Sequence, residues 1–281
     1  MTSTTPIVEV AGLQKKFGHT LAVDDVSFTL DPGGSLGIVG ESGSGKTTVA
    51  KMLIGLEAPT AGTIRVCGRV RESHAGLAER RRRARELQIV FQDPYSTLDP
   101  RQTVESCIEE VLRLHRPELG KQARLARVNE LADLVGFDER QRRALPRRLS
   151  GGQRQRVSIA RALAVEPSVM ILDESVSALD VSIQAQILNL LADIRAETSI
   201  AYILISHDLA VVRHLTETCV VMRKGQIVES GLTPTVLDNP QAAYTQLLRN
   251  SVPGPGWRPT RRVPSVAPDA QRAREAEMAV A

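Results

Sequence analysis

The sequence predicts an α/β fold: a layer of buried parallel strands, an antiparallel β part near the N-terminus and an inserted helical part. Three observations carry that prediction. The apolar runs around Leu36, Ile38 and Val39 and over Val169-Met170-Ile171-Leu172 are short and uninterrupted, as strands buried on both faces should be. After the first run, Val49, Met52, Leu53 and Leu56 recur at helical spacing. In the N-terminal stretch Val26, Phe28 and Leu30 alternate with Asp25, Ser27 and Thr29, a strand with one buried face, and Ile64 and Val66 extend the same pattern.

Composition bounds the class. The chain has 281 residues, of which 42% are hydrophobic, 24% charged and 3% aromatic, which excludes a disordered or fibrous protein. Three cysteines, Cys67, Cys107 and Cys219, stand in no C-x-x-C spacing, so neither a disulfide framework nor a zinc or iron–sulfur site is expected, and a reducing compartment fits. The start MTSTTPIVEV lacks a basic and an apolar signal region, and nothing approaches the ~18 apolar residues of a membrane span, so work at a membrane requires a borrowed one. The net charge of +4 is local: Arg71 to Arg85 holds six Arg against two Glu, and Glu139 to Arg156 seven Arg against one Glu. In the first run Glu79/Arg83 and Arg82/Glu86 at i,i+4 spacing read as a solvated helix face. With no aromatic-studded basic groove, nucleic acid is not an expected partner.

The first chemical motif is Gly40-Glu41-Ser42-Gly43-Ser44-Gly45-Lys46-Thr47-Thr48, a phosphate-binding P-loop between the predicted strand and helix. Its glycines let successive N–H groups turn inward around phosphate oxygens, and the helix N-terminus adds about half a positive charge. Lys46 reaches the outer phosphates and the Thr47 hydroxyl is placed for Mg²⁺. A second motif, Ser168 to Ser175, places two acids after a run of four apolar residues that reads as a buried strand. Asp173 is a candidate Mg²⁺ ligand and Glu174 a candidate general base, although a strand merely leaving the core would read the same way. Third, Leu149-Ser150-Gly151-Gly152-Gln153 precedes a helix whose face is Val157, Ala160, Leu163 and Ala164. Ser150 and paired glycines at a helix N-terminus form another anion site, and paired glycines cost more backbone entropy than an ordinary cap needs.

A P-loop, then LSGGQ, then an apolar run ending in Asp-Glu resembles the nucleotide-binding subunits of ABC transporters, over Ile7 to about Leu248. The resemblance implies a P-loop NTPase (RecA-like) core with ATP and Mg²⁺. It places Phe17 on adenine, Gln92 as the Q-loop glutamine near Mg²⁺, Ser177-Ala178-Leu179-Asp180 as the D-loop and His207 as the switch histidine on the γ-phosphate. It also implies that Ser150, Gly151, Gly152 and Gln153 act in trans, on ATP held by the P-loop of a second ATPase subunit, in a hetero- or homodimer. Further implied partners are two membrane permeases, which would hold the chain at the cytoplasmic face of a membrane, and an extracytoplasmic solute-binding protein.

The stretches FQDPYSTLDPRQTV and PTVLDNPQAAYTQLLRNSVPGPG are similar to subunits energising uptake of dipeptides, oligopeptides, nickel and glutathione. Two departures are Ala242-Ala243 where family tails often read His-Pro, and Ser175 where a proline usually follows Asp-Glu. Carbon–phosphorus lyase assemblies hold a subunit similar to the same group. Repair ATPases with long coiled-coil arms do not fit the 103 positions between Lys46 and Leu149. The expected organisation is a core over 1–92 and 165–232 and a helical lobe over 93–164, the latter from Val104, Ile108, Val111, Leu112 and from Leu125, Val128, Leu131, Leu134. A C-terminal extension over 233–281 follows, proline-rich and largely disordered after about 252, with Trp257 in it.

Overall fold

The alternating N-terminal segment folds as a hairpin of β1 (Val8–Phe17) and β2 (Thr20–Leu30), with Val26, Phe28 and Leu30 buried and Ser27 and Thr29 exposed. The computed structural model describes residues 5–93, 97–175 and 179–251. The expectations for Ser177, Ala178 and the chain after 251, Trp257 included, lie outside them. Next come β3 (Ser35–Val39), α1 (Lys46–Leu53), β4 (Ala61–Val66) and β5 (Arg69–Val70). β4 pairs with β1 and β5 with β4, all antiparallel, which completes a four-stranded sheet in the order β2-β1-β4-β5.

The chain continues through α2 (Leu77–Glu86), β6 (Leu87–Val90), α3 (Val104–His115), α4 (Lys121–Leu134), α5 (Glu139–Arg142) and α6 (Gly151–Leu163). After them come β7 (Val169–Asp173), α7 (Val181–Glu197), β8 (Ala201–Ser206), α8 (Leu209–Leu215), β9 (Thr218–Arg223) and β10 (Gln226–Leu232). Two short helices, α9 (Thr233–Asp238) and α10 (Ala243–Ser251), end the described chain.

The second sheet runs β10-β9-β3-β8-β7-β6; every neighbouring pair is parallel except β9 with β10. It explains the unbroken apolar runs. Alternate residues enter two different cores: Leu36, Ile38, Val169, Ile171, Ile203 and Ile205 join α1 and the antiparallel sheet. Val39, Met170, Leu172, Tyr202 and Leu204 join α3, α4, α6, α7 and α8. Both faces of each central strand are therefore covered, and no polar alternation is left to see. β9 and β10 meet at a two-residue turn in which Lys224 and Gly225 both have positive φ (48° and 86°), the geometry of a tight hairpin.

The helical insert departs from expectation in detail. In α3 Val104, Ile108 and Leu112 are buried, with Cys107 beside them. In α4 the buried stripe is Val128, Leu131, Ala132 and then Val135, while Leu125 and Leu134 stand 51% and 38% exposed at its margins. The basic α2 is solvated, as its spacing predicts: it buries no residue, and Glu79 takes the Arg83 Nε at 2.7 Å while Arg82 faces Glu86 at 3.8 Å.

Candidate functional site

The turn from β3 into α1 is held by its glycines. Gly40, Gly43 and Gly45 have φ of 154°, 79° and 105°. A Cβ at Gly40 would lie 2.2 Å from the Met222 carbonyl oxygen, and one at Gly45 would lie 2.6 Å from that of Ala22. Strand neighbours thus crowd the loop from behind, whereas Gly43 faces open space. The Gly225 N–H adds a hydrogen bond to the Ser44 carbonyl at 3.0 Å, a support from the β9–β10 turn that no local sequence signal announces. Lys46 is buried, with its Nζ donating to the carbonyls of Gly40 (2.7 Å) and Glu41 (2.8 Å). Burial lowers its pKa, opposed by the negative charges of Glu174, Asp173 and Glu41. Ser42 and Thr47 are exposed, Ser44 is buried and Thr48 is half-buried.

Parallel register aligns the other candidates with this loop. Val39 pairs with Ser206, Ile205 with Asp173 and Leu172 with Val90, so Gly40, His207, Glu174 and Gln92 fall along the carboxyl ends of four adjacent strands. Ligands bind at that edge of an open parallel sheet. His207 Nδ1 lies 3.5 Å from Glu174 Oε1. Glu174 has a positive φ of 46°, uncommon for a residue with a side chain, and its N–H donates to the Ile205 carbonyl at 2.9 Å. Gln92 and Asp173 line one open cavity together with Phe91, Asp93 and Thr97.

Asp173 is buried. Desolvation, with the charge of Glu174 second, pushes its carboxyl up to about 6, against the pull of Lys46 and Lys51. Its Oδ1 is buried and has no hydrogen-bond partner among the described residues. An orphaned carboxylate oxygen near a phosphate loop and an exposed threonine hydroxyl fit a Mg²⁺ ion, which keeps waters and phosphate oxygens as most of its ligands. Among the described residues no group of three or more His, Cys, Asp or Glu gathers as a metal site. Ser175, the departure from proline, buries a hydroxyl that also has no partner among the described residues.

Phe17 is not a core residue: it is 45% exposed, with Lys15 Nζ 4.8 Å above its ring. It pairs with Thr20, two residues before the Ala22 that backs Gly45, which sets the ring close in sequence to the P-loop's support.

The LSGGQ turn is built otherwise. Ser150 caps α6 by accepting from the Gln153 N–H at 3.3 Å, and Gln153 Oε1 accepts from the Ser150 N–H at 2.9 Å, a complete capping box. A Cβ at Gly152 would come within 2.2 Å of Ile183 Cγ2, so this glycine also has a packing reason: α7 passes too close for a side chain. Gly151 lies exposed, and a Cβ there would meet Leu179 Cδ2 at an ordinary 3.5 Å. Asp180 caps α7 through the Ile183 N–H at 2.9 Å, at the same residue whose side chain packs over Gly152. Much of the nearby arginine run is spent internally: Arg154 Nε donates to the Pro146 carbonyl, Arg156 to Val135 (both 2.7 Å) and Arg142 to Asn129 (2.9 Å).

Fold and site together define a nucleotide-binding protein of the P-loop class, with acids and a histidine on the strands beside its phosphate loop. A family model described as ABC transporter matches residues 23–177, and the chain belongs to that family of ATP-binding cassette proteins. It is 46% identical over 250 residues to the oligopeptide transport ATP-binding protein OppD of Mycobacterium tuberculosis, covering 89% of this chain and 40% of that protein. It is 46% identical over 232 residues to a putative peptide import ATP-binding protein of Brucella abortus, covering 83% of this chain and 69% of the relative. The chain thus spans about two fifths of the length of OppD. The post-hydrolysis dimer of the ATP-binding cassette MJ0796, bound to ADP and Pi, superposes with a TM-score of 0.72 at 27% identity, over 80% of this chain and 98% of that one. Among the described residues no helix is long and apolar enough to cross a membrane.

Proposed function

We propose that this chain is the ATP-hydrolysing subunit of a binding-protein-dependent importer for di- or oligopeptides or a related solute such as nickel or glutathione. The observation that carries the reading is the row of groups on adjacent strand ends: Lys46 within the electrostatic reach of Asp173 and Glu174, and His207 3.5 Å from Glu174. The peptide-import relatives support the solute class.

In this reading Phe17 stacks on adenine, and the N–H groups from Gly40 to Thr48, with Ser42, Gly43, Ser44, Gly45 and Lys46, cradle the phosphates. Thr47, Asp173 and Gln92 would hold Mg²⁺, which supplies charge neutralisation between the outer phosphates. Glu174 takes a proton from the attacking water while His207 keeps that carboxylate in place and meets the γ-phosphate. The exposed Ser150 and Gly151, with Gly152 and Gln153, contact ATP bound to a second subunit, and Asp180 registers that subunit's state. ATP between two such faces screens their mutual repulsion, and its hydrolysis releases them. We assign 1–92 and 165–232 to the ATP-binding core, 93–164 to the lobe that receives a permease, and 233–281 to a C-terminal extension.

Co-purification with a pair of permeases and peptide-stimulated ATPase in proteoliposomes tests the reading. Recovery instead with soluble lyase subunits and no permease would overturn the transport part.

A further inference from the structure

The C-terminal helices play no part in the site as described, yet one of their side chains reaches it. Tyr244, in the first turn of α10, is buried, and its hydroxyl accepts a hydrogen bond from the Glu41 N–H at 3.2 Å, across 203 residues of sequence. The same short piece of the phosphate loop is held from its carbonyl side, where Lys46 Nζ bonds the oxygens of Gly40 and Glu41. The tyrosine is itself fixed. The Arg223 guanidinium sits 4.8 Å from the centre of its ring, and the Glu229 carboxylate accepts the N–H groups of Gln241 (2.8 Å) and Ala242 (3.1 Å) just before α10.

We propose that Tyr244 is a positioning residue for the ATP phosphates: its hydroxyl fixes the start of the P-loop and so sets the direction of the amides that follow. Phenylalanine would fill the same space and keep the arginine contact but leave the Glu41 N–H without its acceptor. Gly40, Gly43 and Gly45 all occupy positive φ, so the loop contains glycine hinges that an unanchored first peptide can turn. The effect falls on phosphate binding rather than on the water at Glu174, which belongs to another strand. This inference rests on the reading of Gly40 to Thr48 as the ATP phosphate loop.

The test uses the full chain, titrated with trinitrophenyl-ATP and assayed for steady-state ATPase, as wild type, Tyr244→Phe and Lys46→Ala. Tyr244→Phe should raise both the dissociation constant and KM roughly 3- to 10-fold, the size of one partly buried hydrogen bond. Its kcat should stay within about twofold of wild type. Amide exchange in the peptide containing Glu41 should speed up while Tm falls by no more than about 2–4 °C, the worth of one lost hydrogen bond. Wild-type affinity in Tyr244→Phe, a fall in kcat at constant KM, or a general loss of stability with parallel loss of every activity overturns the positioning role. Lys46→Ala separates the two levels: if it loses ATP and Tyr244→Phe does not, only Tyr244 is wrongly assigned. If Lys46→Ala still binds like wild type, the phosphate-loop reading itself fails, and the positioning role with it.

Discussion

Two glycine-rich turns start helices in this protein, and their physics differs. At α1 the cap is Gly45 at a φ of 105°, with no side chain bonded to the first amides, and a lysine folds back over the loop. At α6 a serine and a glutamine satisfy each other's backbone N–H groups, and neither Gly151 nor Gly152 has a positive φ. The first turn keeps its donors for a ligand and uses glycine's freedom at positive φ to aim them. The second is already a closed cap whose exposed Ser150 and Gly151 form part of a surface. In the proposed mechanism this means the P-loop binds ATP by itself, whereas the α6 turn acts only once a second subunit presents phosphate to it.

The largest effect expected is on the step that neither turn performs. Glu174→Gln should retain ATP, accumulate closed pairs and lose turnover by on the order of 10²- to 10⁴-fold, the usual worth of a general base. Size-exclusion chromatography with ATP and a phosphate-release assay read both halves, and normal steady-state hydrolysis would remove Glu174 from the role. Next, Lys46→Ala should cost roughly 10- to 100-fold in ATP affinity, since hydrogen bonds to a charged group contribute ~1.5–3 kcal/mol. The matching change in the α6 turn, Gly151→Ala, should leave single-subunit ATP affinity at wild type, as measured by titration below the dimerising concentration. Equal losses in the two variants would erase the distinction.

Packing offers a sharper cut within the α6 turn. Gly152→Ala places a methyl 2.2 Å from Ile183 Cγ2, so it should destabilise by about 1–3 kcal/mol in urea unfolding. Gly151→Ala, with 3.5 Å to Leu179, should change stability little. The double variant Gly152→Ala/Ile183→Ala should recover part of the loss. If Gly152→Ala is as stable as wild type, the close approach of α7 does not explain that glycine.

How much of this was visible in the sequence follows the range of each interaction. The P-loop is local, a strand, a fixed glycine spacing and a lysine, and is legible in the residues alone; the α6 turn reads from sequence as an anion site rather than an ordinary cap, and its reciprocal Ser150–Gln153 bonds appear only in the structure. The row of Gly40, His207, Glu174 and Gln92 depends on strand order, with β8 inserted between β3 and β7, which periodicity does not reveal. Only the family resemblance brought Gln92 and His207 to the site. The reason for Gly152 was hidden because Ile183 belongs to a helix 31 positions on, and the internal hydrogen bonds of Arg142 and Arg154 join segments that local pattern does not connect. Gly225 and Tyr244 brace the loop from far along the chain and leave no mark on local pattern.

The smallest effect discriminates most finely, because it asks whether Ser150 is only a cap. Ser150→Ala removes the hydroxyl that accepts from the Gln153 N–H and should cost ~1 kcal/mol of stability, a typical cap loss. Ser150→Asp restores an acceptor, and an aspartate at a helix N-terminus suits the dipole, so it should recover that stability. A cap and an anion contact then diverge. In the Glu174→Gln background, Ser150→Asp should still fail to form ATP-closed pairs, because its carboxylate would face the γ-phosphate of the other subunit at close range. Closed pairs that form as readily with Asp as with Ser would show that the serine does no more than cap its helix and that the trans contact lies elsewhere on the exposed surface of α6.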